Sequence, residues 1–263
     1  MAVGYGLGRK RGNNKFQRYI APILIRKLLI ATFDWKPVLT PALIFDLDGT
    51  LADTAPDLLG ATNAVLLARG RPEMDLDHLR HMVGFGARAL IAQAMEASGA
   101  PVTESEMPPL VEIFLAHYRN HIADGSRLFP GVIETLGALK AGRARLAVLT
   151  NKPQELTDPL LPLLGLDGLF AAVYGAGRKL YTKPDPRIFH DVVADLFADG
   201  GGGGPAVMIG DSITDLNTAR AASVPCVLVS YGFTPVPAKD LGADAVIDDF
   251  AQLPDALRDL KIL

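Results

Sequence analysis

Short runs of apolar residues, each ended by polar residues, recur along most of the chain. The runs lie at residues 42–45, 146–149, 171–174, 206–209, 226–229 and 245–247. They are continuously apolar, which is typical of strands buried on both faces in a parallel sheet that is covered by helices. Helix-length segments such as 132–141 and 186–197 separate them. The alternation predicts an α/β fold with a doubly wound, mostly parallel sheet and a Rossmann-like core.

The first and second predicted strands are separated by about a hundred residues, far more than one crossover connection needs. Within this stretch Leu58, Thr62 and Val65 recur at the spacing of one helical face, as do Leu90 and Ala94. We therefore predict a helical cap domain over residues 54–127. It is inserted into an α/β core that comprises residues 41–53 and 128–263.

Charge is unevenly distributed along the chain. Residues 1–40 hold eight basic residues and one acid, and residues 41–263 hold 18 basic and 28 acidic residues. The apolar part of the first segment, residues 20–33, is too short for a membrane span and contains Arg26 and Lys27. Residues 1–40 can be read as a surface anchor, an organelle-type presequence, a disordered arm or a mis-assigned start. The last two are favoured, so membrane contact is possible but not expected.

The amino-acid composition indicates an ordinary globular protein. The chain has 263 residues, of which 49% are apolar and 21% charged, as in ordinary globular proteins. The single cysteine, Cys226, excludes an internal disulfide and suits a reducing compartment. We therefore expect a cytoplasmic protein, with organelle import through residues 1–40 left open. The acidic body does not favour nucleic acid as a partner, because neutralising phosphates requires a basic face.

Polar side chains follow three of the predicted strands. Asp46 and Asp48 follow the first strand, Thr150 and Asn151 the second, and Asp211 the fourth. The carboxyl ends of parallel strands meet at one edge of the sheet, so a ligand site is predicted there. Paired carboxylates can hold a hard cation, although a plain turn after a strand also uses Asp and Gly.

Together with Lys183-Pro184 and Asp215, these strand ends resemble the four signature motifs of the haloacid dehalogenase superfamily. The resemblance spans residues 41 to about 253 and includes a mobile helical cap after the first motif. It implies that Asp46 is the nucleophile, which forms an aspartyl-phosphate. It implies that Asp48 is the general acid and base.

The same resemblance assigns the residues that hold the metal and the phosphoryl group. Mg²⁺ is expected on Asp46, the backbone carbonyl of Asp48 and Asp211, while Asp215 binds through water or braces Lys183. The expected phosphoryl ligands are Thr150, Asn151, Lys183 and Ser212.

Alternatives within the superfamily can be partly separated. A dehalogenase does not use an acid at the position of Asp48, and residues 54–128 contain no lysine for the Schiff base of a phosphonate hydrolase. A broad sugar-phosphate phosphatase, a phosphomutase and, in another class, an inactive binding module with this fold remain. The phrases at 45–58, 150–153, 183–186 and 231–235 are similar to the phosphoglycolate phosphatase branch. That similarity implies a small phosphorylated metabolite, 2-phosphoglycolate, as substrate. Ser223 departs from this branch, which commonly has glycine there.

The loop at residues 83–88 is similar to the substrate-specificity loop of that branch. It contains Gly84, Phe85 and Gly86, followed by Arg88. Our hypothesis is that Arg88, or a backbone amide of the loop, binds the substrate carboxylate, since a guanidinium suits a bidentate carboxylate contact. The alternative is that Arg88 begins a helix and faces water.

Overall fold

The computed structural model describes residues 1–4, 39–201 and 203–263. The expectations about the basic segment 1–40 therefore concern residues that lie almost entirely outside the described ranges. Among the residues that are described, no helix combines the length and apolar character needed to cross a bilayer.

The core of residues 39–263 is a parallel sheet. In the described chain it has six strands: β1 Thr40–Phe45, β4 Arg145–Pro153, β5 Ala172–Ala176, β6 Gly203–Gly210, β7 Cys226–Val229 and β8 Ala245–Ile247. Their order across the sheet is β5-β4-β1-β6-β7-β8. The order reverses on either side of β1, and all pairings are parallel. The predicted doubly wound α/β fold is confirmed.

Helices cover both faces of the sheet. The helices are α1 Ala55–Ala68, α2 Leu76–Arg80, α3 Ala87–Ala97, α4 Met107–Asn120, α5 Val132–Ala141, α6 Gln154–Leu163, α7 Pro186–Leu196, α8 Ile213–Ala222 and α9 Leu253–Asp259. Leu43 and Phe45 of β1 belong to one buried cluster with α5, α6 and α9. Ala42 and Ile44 point the other way, into a cluster with α7 and α8. Burial on both faces explains why β1 is continuously apolar.

The first four helices form an insertion that begins and ends at one place. Two short antiparallel strands, β2 Ala52–Asp53 and β3 Arg127–Leu128, pair directly at its entrance and exit. Asp57 of α1 stabilises the chain where the insertion ends. Its carboxylate accepts hydrogen bonds from the amides of Gly125 and Ser126 at 2.7 and 2.8 Å. The fold therefore contains the expected helical insertion after the first strand.

One detail of the core differs from the prediction. Thr150 and Asn151 were expected just after the second strand, but β4 extends to Pro153 and includes both. The pairing of β4 with β5 shifts register between Leu149 and Pro153. This irregular end of β4 carries Lys152 as well, and all three side chains lie at the edge of the sheet where the site forms.

Candidate active site

Three neighbouring strands, β4, β1 and β6, deliver the polar residues to one edge of the sheet. Asp46 follows β1, Thr150 lies near the end of β4 and Asp211 follows β6. All three are almost completely buried, with 4%, 3% and 2% of their surface exposed. Adjacent parallel strands end at the same edge, so the juxtaposition predicted from the sequence follows directly from the sheet order.

Lys183 connects two carboxylates of this cluster. Its Nζ donates a hydrogen bond to Asp215 Oδ1 at 2.6 Å and lies 2.9 Å from Asp46 Oδ1. The other oxygen of Asp215 accepts from the amides of Asp211 and Ser212 and from the Ser212 hydroxyl. Both oxygens of Asp215 are thus occupied. Of the two roles expected for Asp215, bracing Lys183 is the one that these contacts favour.

The cluster contains more carboxyl groups than cationic groups. Carboxylate oxygens of Asp46, Asp211 and Asp215 lie within 4.8 Å of one another, beside the single ammonium of Lys183. Burial raises the pKa of Asp46 to about 7, although Lys183 acts against the shift. Burial and the neighbouring carboxylates raise the pKa of Asp211 well above its ordinary value. These shifts show that charging the carboxylates is costly without a further cation.

The carboxylate oxygens of this cluster are also suitable ligands for a divalent metal. The contact of Asp46 Oδ1 with Lys183 lacks hydrogen-bond geometry, so this buried oxygen has no hydrogen-bond donor in the described chain. Among the described residues, Asp211 Oδ2 accepts one hydrogen bond, from the amide of Phe233 at 2.7 Å. Oxygen ligands of this kind suit hard divalent cations. The site is therefore a divalent-metal site in its charge and its chemistry.

Gly49 permits the close approach of Asp211. It has φ of +82°, and a Cβ at this position would lie 2.4 Å from Asp211 Oδ2. A side chain would therefore be strained in its backbone and would collide with the buried carboxylate of Asp211. The glycine in the motif from Asp46 to Leu51 thus has a structural reason beyond forming a turn.

Only one of the two carboxylate oxygens of Asp48 accepts hydrogen bonds from the described residues. Its Oδ1 accepts hydrogen bonds from the Thr54 hydroxyl at 2.6 Å and from Lys152 Nζ at 2.9 Å. Lys152 also donates to the Tyr118 hydroxyl at 2.5 Å, and its ammonium lies 4.5 Å from the centre of the Tyr118 ring. Because both donors use Oδ1, Oδ2 has no hydrogen-bond partner among the described residues.

The expected phosphoryl ligands differ in whether their hydrogen-bond donors are already used within the protein. Thr150 Oγ1 accepts from the Lys152 amide, so its own hydrogen stays available. Asn151 Nδ2 donates to the carbonyls of Gly84 and Lys183 at 3.3 and 3.2 Å. The Ser212 hydroxyl donates to Asp215 at 2.7 Å, which differs from the expected role of a phosphoryl donor. The reason is that Ser212 and Asp215 form a capping box at the start of α8.

A cavity lies between the core and the insertion. Its walls include Asp46, Asp48, Thr150, Asn151 and Lys152 from the core, and Val83, Gly84, Gly86, Ala87, Leu90, Phe114 and Tyr118 from the insertion. The backbone of the predicted specificity loop therefore reaches the cavity. The Arg88 side chain does not line it, because it pairs with Glu104 at 2.5 Å and is half-exposed. Phe85 is also half-exposed and lies outside the cavity wall.

Lys152 and Tyr118 are site residues that the sequence motifs did not predict. Lys152 is 2% exposed in its side chain, although it directly follows the Thr150-Asn151 motif in a strand. A lysine at the end of a buried strand is itself a signal, because lysine is rarely buried without a partner. Tyr118 offered no comparable signal. It lies on the apolar face of α4 and reads as core.

Comparisons with known proteins agree with this geometry. Residues 43–229 match the model of the Haloacid dehalogenase-like hydrolase family. The phosphoglycolate phosphatase of Caulobacter vibrioides is 48% identical over 212 residues, which cover 81% of this chain and 88% of that protein. The phosphoglycolate phosphatase of Agrobacterium fabrum is 43% identical, covering 83% of this chain and 93% of that one.

Solved structures show the same relationship. The crystal structure of a predicted phosphoglycolate phosphatase from Haemophilus somnus superposes with a TM-score of 0.73 at 31% identity. The superposition covers 82% of this chain and 97% of that one. The family match covers more than half of the chain, and the relatives are aligned over most of their length. The chain therefore belongs to the haloacid dehalogenase-like hydrolases.

Proposed function

We propose that this protein is a Mg²⁺-dependent phosphatase that hydrolyses 2-phosphoglycolate to glycolate and phosphate. The observation that carries the proposal is the buried carboxylate cluster at the ends of β1 and β6, with Asp46 free to react and Asp48 beside it. The phosphoglycolate phosphatases of the two bacteria above, at 48% and 43% identity, support this choice of substrate.

In the first step an Asp46 carboxylate oxygen attacks phosphorus and forms a new P–O bond. The bond between phosphorus and the glycolate oxygen breaks, and Asp48 Oδ2 transfers its proton to that oxygen. Thr54 and Lys152 hold Oδ1 of Asp48, so the reacting oxygen is fixed toward the cavity. Asp48 then leaves this step as a carboxylate.

In the second step the Asp48 carboxylate takes a proton from a water molecule. The water oxygen attacks phosphorus, the P–O bond to Asp46 breaks, and phosphate and free Asp46 result. One residue thus serves as acid and then as base, and the proton balance closes over the cycle. The insertion covers the cavity, which keeps other water away from the phosphoryl group.

Positive charge around the phosphoryl group comes from Lys183 and from the metal site. The residues that would hold Mg²⁺ are Asp46, Asp211 and the backbone carbonyl of Asp48. When bound, Mg²⁺ supplies charge that offsets the repulsion between a carboxylate and a phosphate dianion. The Thr150 hydroxyl supplies a hydrogen bond to the phosphoryl oxygens, and Asn151 Nδ2 can do the same once it exchanges its contact with the Gly84 carbonyl for one with the substrate.

The experiment that tests this proposal is kcat/KM with Mg²⁺ for 2-phosphoglycolate beside sugar phosphates, nucleotides, pyrophosphate and phosphoserine. We expect 2-phosphoglycolate to lead by about a hundredfold, which corresponds to about 2.7 kcal/mol of transition-state preference. A flat profile would identify a generalist phosphatase, and an isomeric phosphate product would identify a mutase. Absence of turnover on all substrates would indicate an inactive binding module.

A further inference from the structure

Besides the reacting carboxylates, the cavity is lined by one positively charged side chain of the described residues. Lys152 is the only cationic side chain among the described residues that line it, and it lies directly beside Tyr118. Lys152 belongs to β4 of the core and Tyr118 to α4 of the insertion. Both are buried, with 5% and 0% of their surface exposed. The pair therefore forms a polar patch contributed by both parts of the molecule.

Each member of the pair has a hydrogen-bond donor to spare. An ammonium has three N–H donors, and Lys152 uses one on Asp48 Oδ1 and one on the Tyr118 hydroxyl. That hydroxyl accepts the lysine bond, so its own hydrogen points elsewhere. Within the described chain neither donor has an additional acceptor. Buried donors are normally satisfied, and an anion in the cavity can accept from both.

The ionisation states are suited to this task. Burial raises the pKa of Tyr118 to about 12, so the phenol keeps its hydrogen. Burial alone would lower the pKa of Lys152, but Asp48 and Tyr118 outweigh it and the pKa lies above its ordinary value. The patch therefore offers one positive charge and one neutral hydroxyl donor.

The distances between Asp48, Lys152 and Tyr118 are compatible with the size of the substrate of the proposed reaction. Asp48 protonates the leaving oxygen, and in 2-phosphoglycolate a single methylene joins that oxygen to the carboxylate. Lys152 Nζ lies 2.9 Å from Asp48 Oδ1, and the Tyr118 hydroxyl lies 2.5 Å from Nζ. A carboxylate one carbon away from an oxygen that Asp48 protonates is therefore within reach of these two donors.

We propose that Lys152 and Tyr118 together bind the carboxylate of the substrate and determine the preference for 2-phosphoglycolate. This inference rests on the proposed function. The neighbouring cavity walls, Leu90, Phe114 and Leu156, are apolar and offer no donor to an anion. Because Tyr118 comes from the insertion, the carboxylate site is complete only when α4 lies against the core.

The test compares kcat/KM for 2-phosphoglycolate with kcat/KM for ethyl phosphate, which has the same two carbons and no carboxylate. The ratio of the two values is the selectivity. It is measured for the full chain with Mg²⁺, and for the Tyr118→Phe and Lys152→Met variants. Tyr181→Phe is the matched control, because this hydroxyl bonds to Asp191 away from the cavity. Arg88→Ala tests the competing cation.

We expect Tyr118→Phe to lower the selectivity about tenfold and Lys152→Met about fiftyfold, since a hydrogen bond to a charged group contributes about 1.5–3 kcal/mol. The Tyr181→Phe and Arg88→Ala variants should keep the selectivity of the wild type. Tyr118→Phe retains the buried ring and should fold. It therefore tests the proposal even if Lys152→Met does not fold.

Three results would overturn this inference in distinguishable ways. If the wild type is selective and both Tyr118→Phe and Lys152→Met remain equally selective, the carboxylate is bound elsewhere while the proposed function stands. A loss of selectivity in Arg88→Ala alone would assign that role to Arg88. If the wild type itself does not prefer 2-phosphoglycolate, the proposed substrate and the carboxylate site are both wrong.

Discussion

Lys183 and Lys152 are both buried lysines that contact a carboxylate of the active site, but their surroundings differ. Lys183 lies among three carboxylates that all come from the core, and the cluster has excess negative charge. Lys152 faces one carboxylate and a tyrosine of the insertion, and its group has spare donors. The first environment suits a cation, and the second suits an anion. The comparison separates where a metal binds from where the substrate is recognised.

The comparison also separates what depends on the insertion from what does not. Asp46, Asp211 and Lys183 lie at strand ends and in loops of the core, and Asp215 lies in the first turn of α8. The environment of Lys152 requires Tyr118 of α4. Moving the insertion would therefore leave the metal site intact and open the carboxylate site.

The largest expected effect concerns the group that reacts beside Lys183. Asp46→Asn removes the nucleophile but keeps the shape of the side chain, so kcat should fall by about 10⁴-fold or more. Steady-state kinetics with 2-phosphoglycolate measures this. A residual rate within about tenfold of the wild type would show that Asp46 is not the nucleophile.

The two lysines should differ in their contribution to stability. Without metal, Lys183→Met leaves two buried carboxylates without their cation and should reduce the free energy of unfolding by about 3–5 kcal/mol. Lys152→Met should cost about 1–3 kcal/mol, because Thr54 still donates to Asp48. Urea unfolding of both variants in a chelator measures the difference. Equal losses would contradict the unequal charge environments.

The charge of the metal site can be tested by removing one carboxylate. The wild type should gain about 2.7 kcal/mol of stability at a Mg²⁺ concentration one hundred times its Kd. Asp211→Asn should lose most of this gain, and without Mg²⁺ it should unfold at a higher temperature than the wild type, since a buried like charge is gone. Calorimetry with and without Mg²⁺ checks both. A variant that responds to Mg²⁺ like the wild type would exclude Asp211 as a ligand.

The smallest effect serves as a control away from both lysines. Ser223 ends α8 with φ of 59° and ψ of 40°, the left-handed conformation in which glycine is favoured. Ser223→Gly should therefore raise the free energy of unfolding by about 1 kcal/mol. Its selectivity for 2-phosphoglycolate should equal that of the wild type. Urea unfolding and the kcat/KM ratio together show that stability and recognition vary independently.

The sequence was most informative where local pattern and sheet topology agree. Asp46, Thr150 and Asp211 each occur at the end of an apolar run, and parallel strands bring such ends together. The helical insertion was predicted from helical spacing in a stretch too long for one connection. The spacing of Asp46 and Asp48 indicated a cation site.

The remaining features depend on contacts between distant residues. Lys152 and Tyr118 are 34 positions apart and meet only because α4 packs against the end of β4. Arg88 lies at the start of α3, and its direction toward Glu104 follows from the packing of the insertion. Ser212 was predicted as a phosphoryl ligand, but its hydroxyl donates to Asp215 at the start of α8, a local contact that competes with ligand binding.

The measurement that tests the central claim most directly is chemical trapping of the phosphorylated enzyme. The enzyme is mixed with Mg²⁺ and 2-phosphoglycolate, quenched rapidly and reduced with borohydride, which converts an aspartyl-phosphate to homoserine. We predict homoserine at position 46 by peptide mass spectrometry, and none in Asp46→Asn or after chelation of the metal. Rapid turnover of 2-phosphoglycolate with Asp46 unmodified throughout would contradict the account.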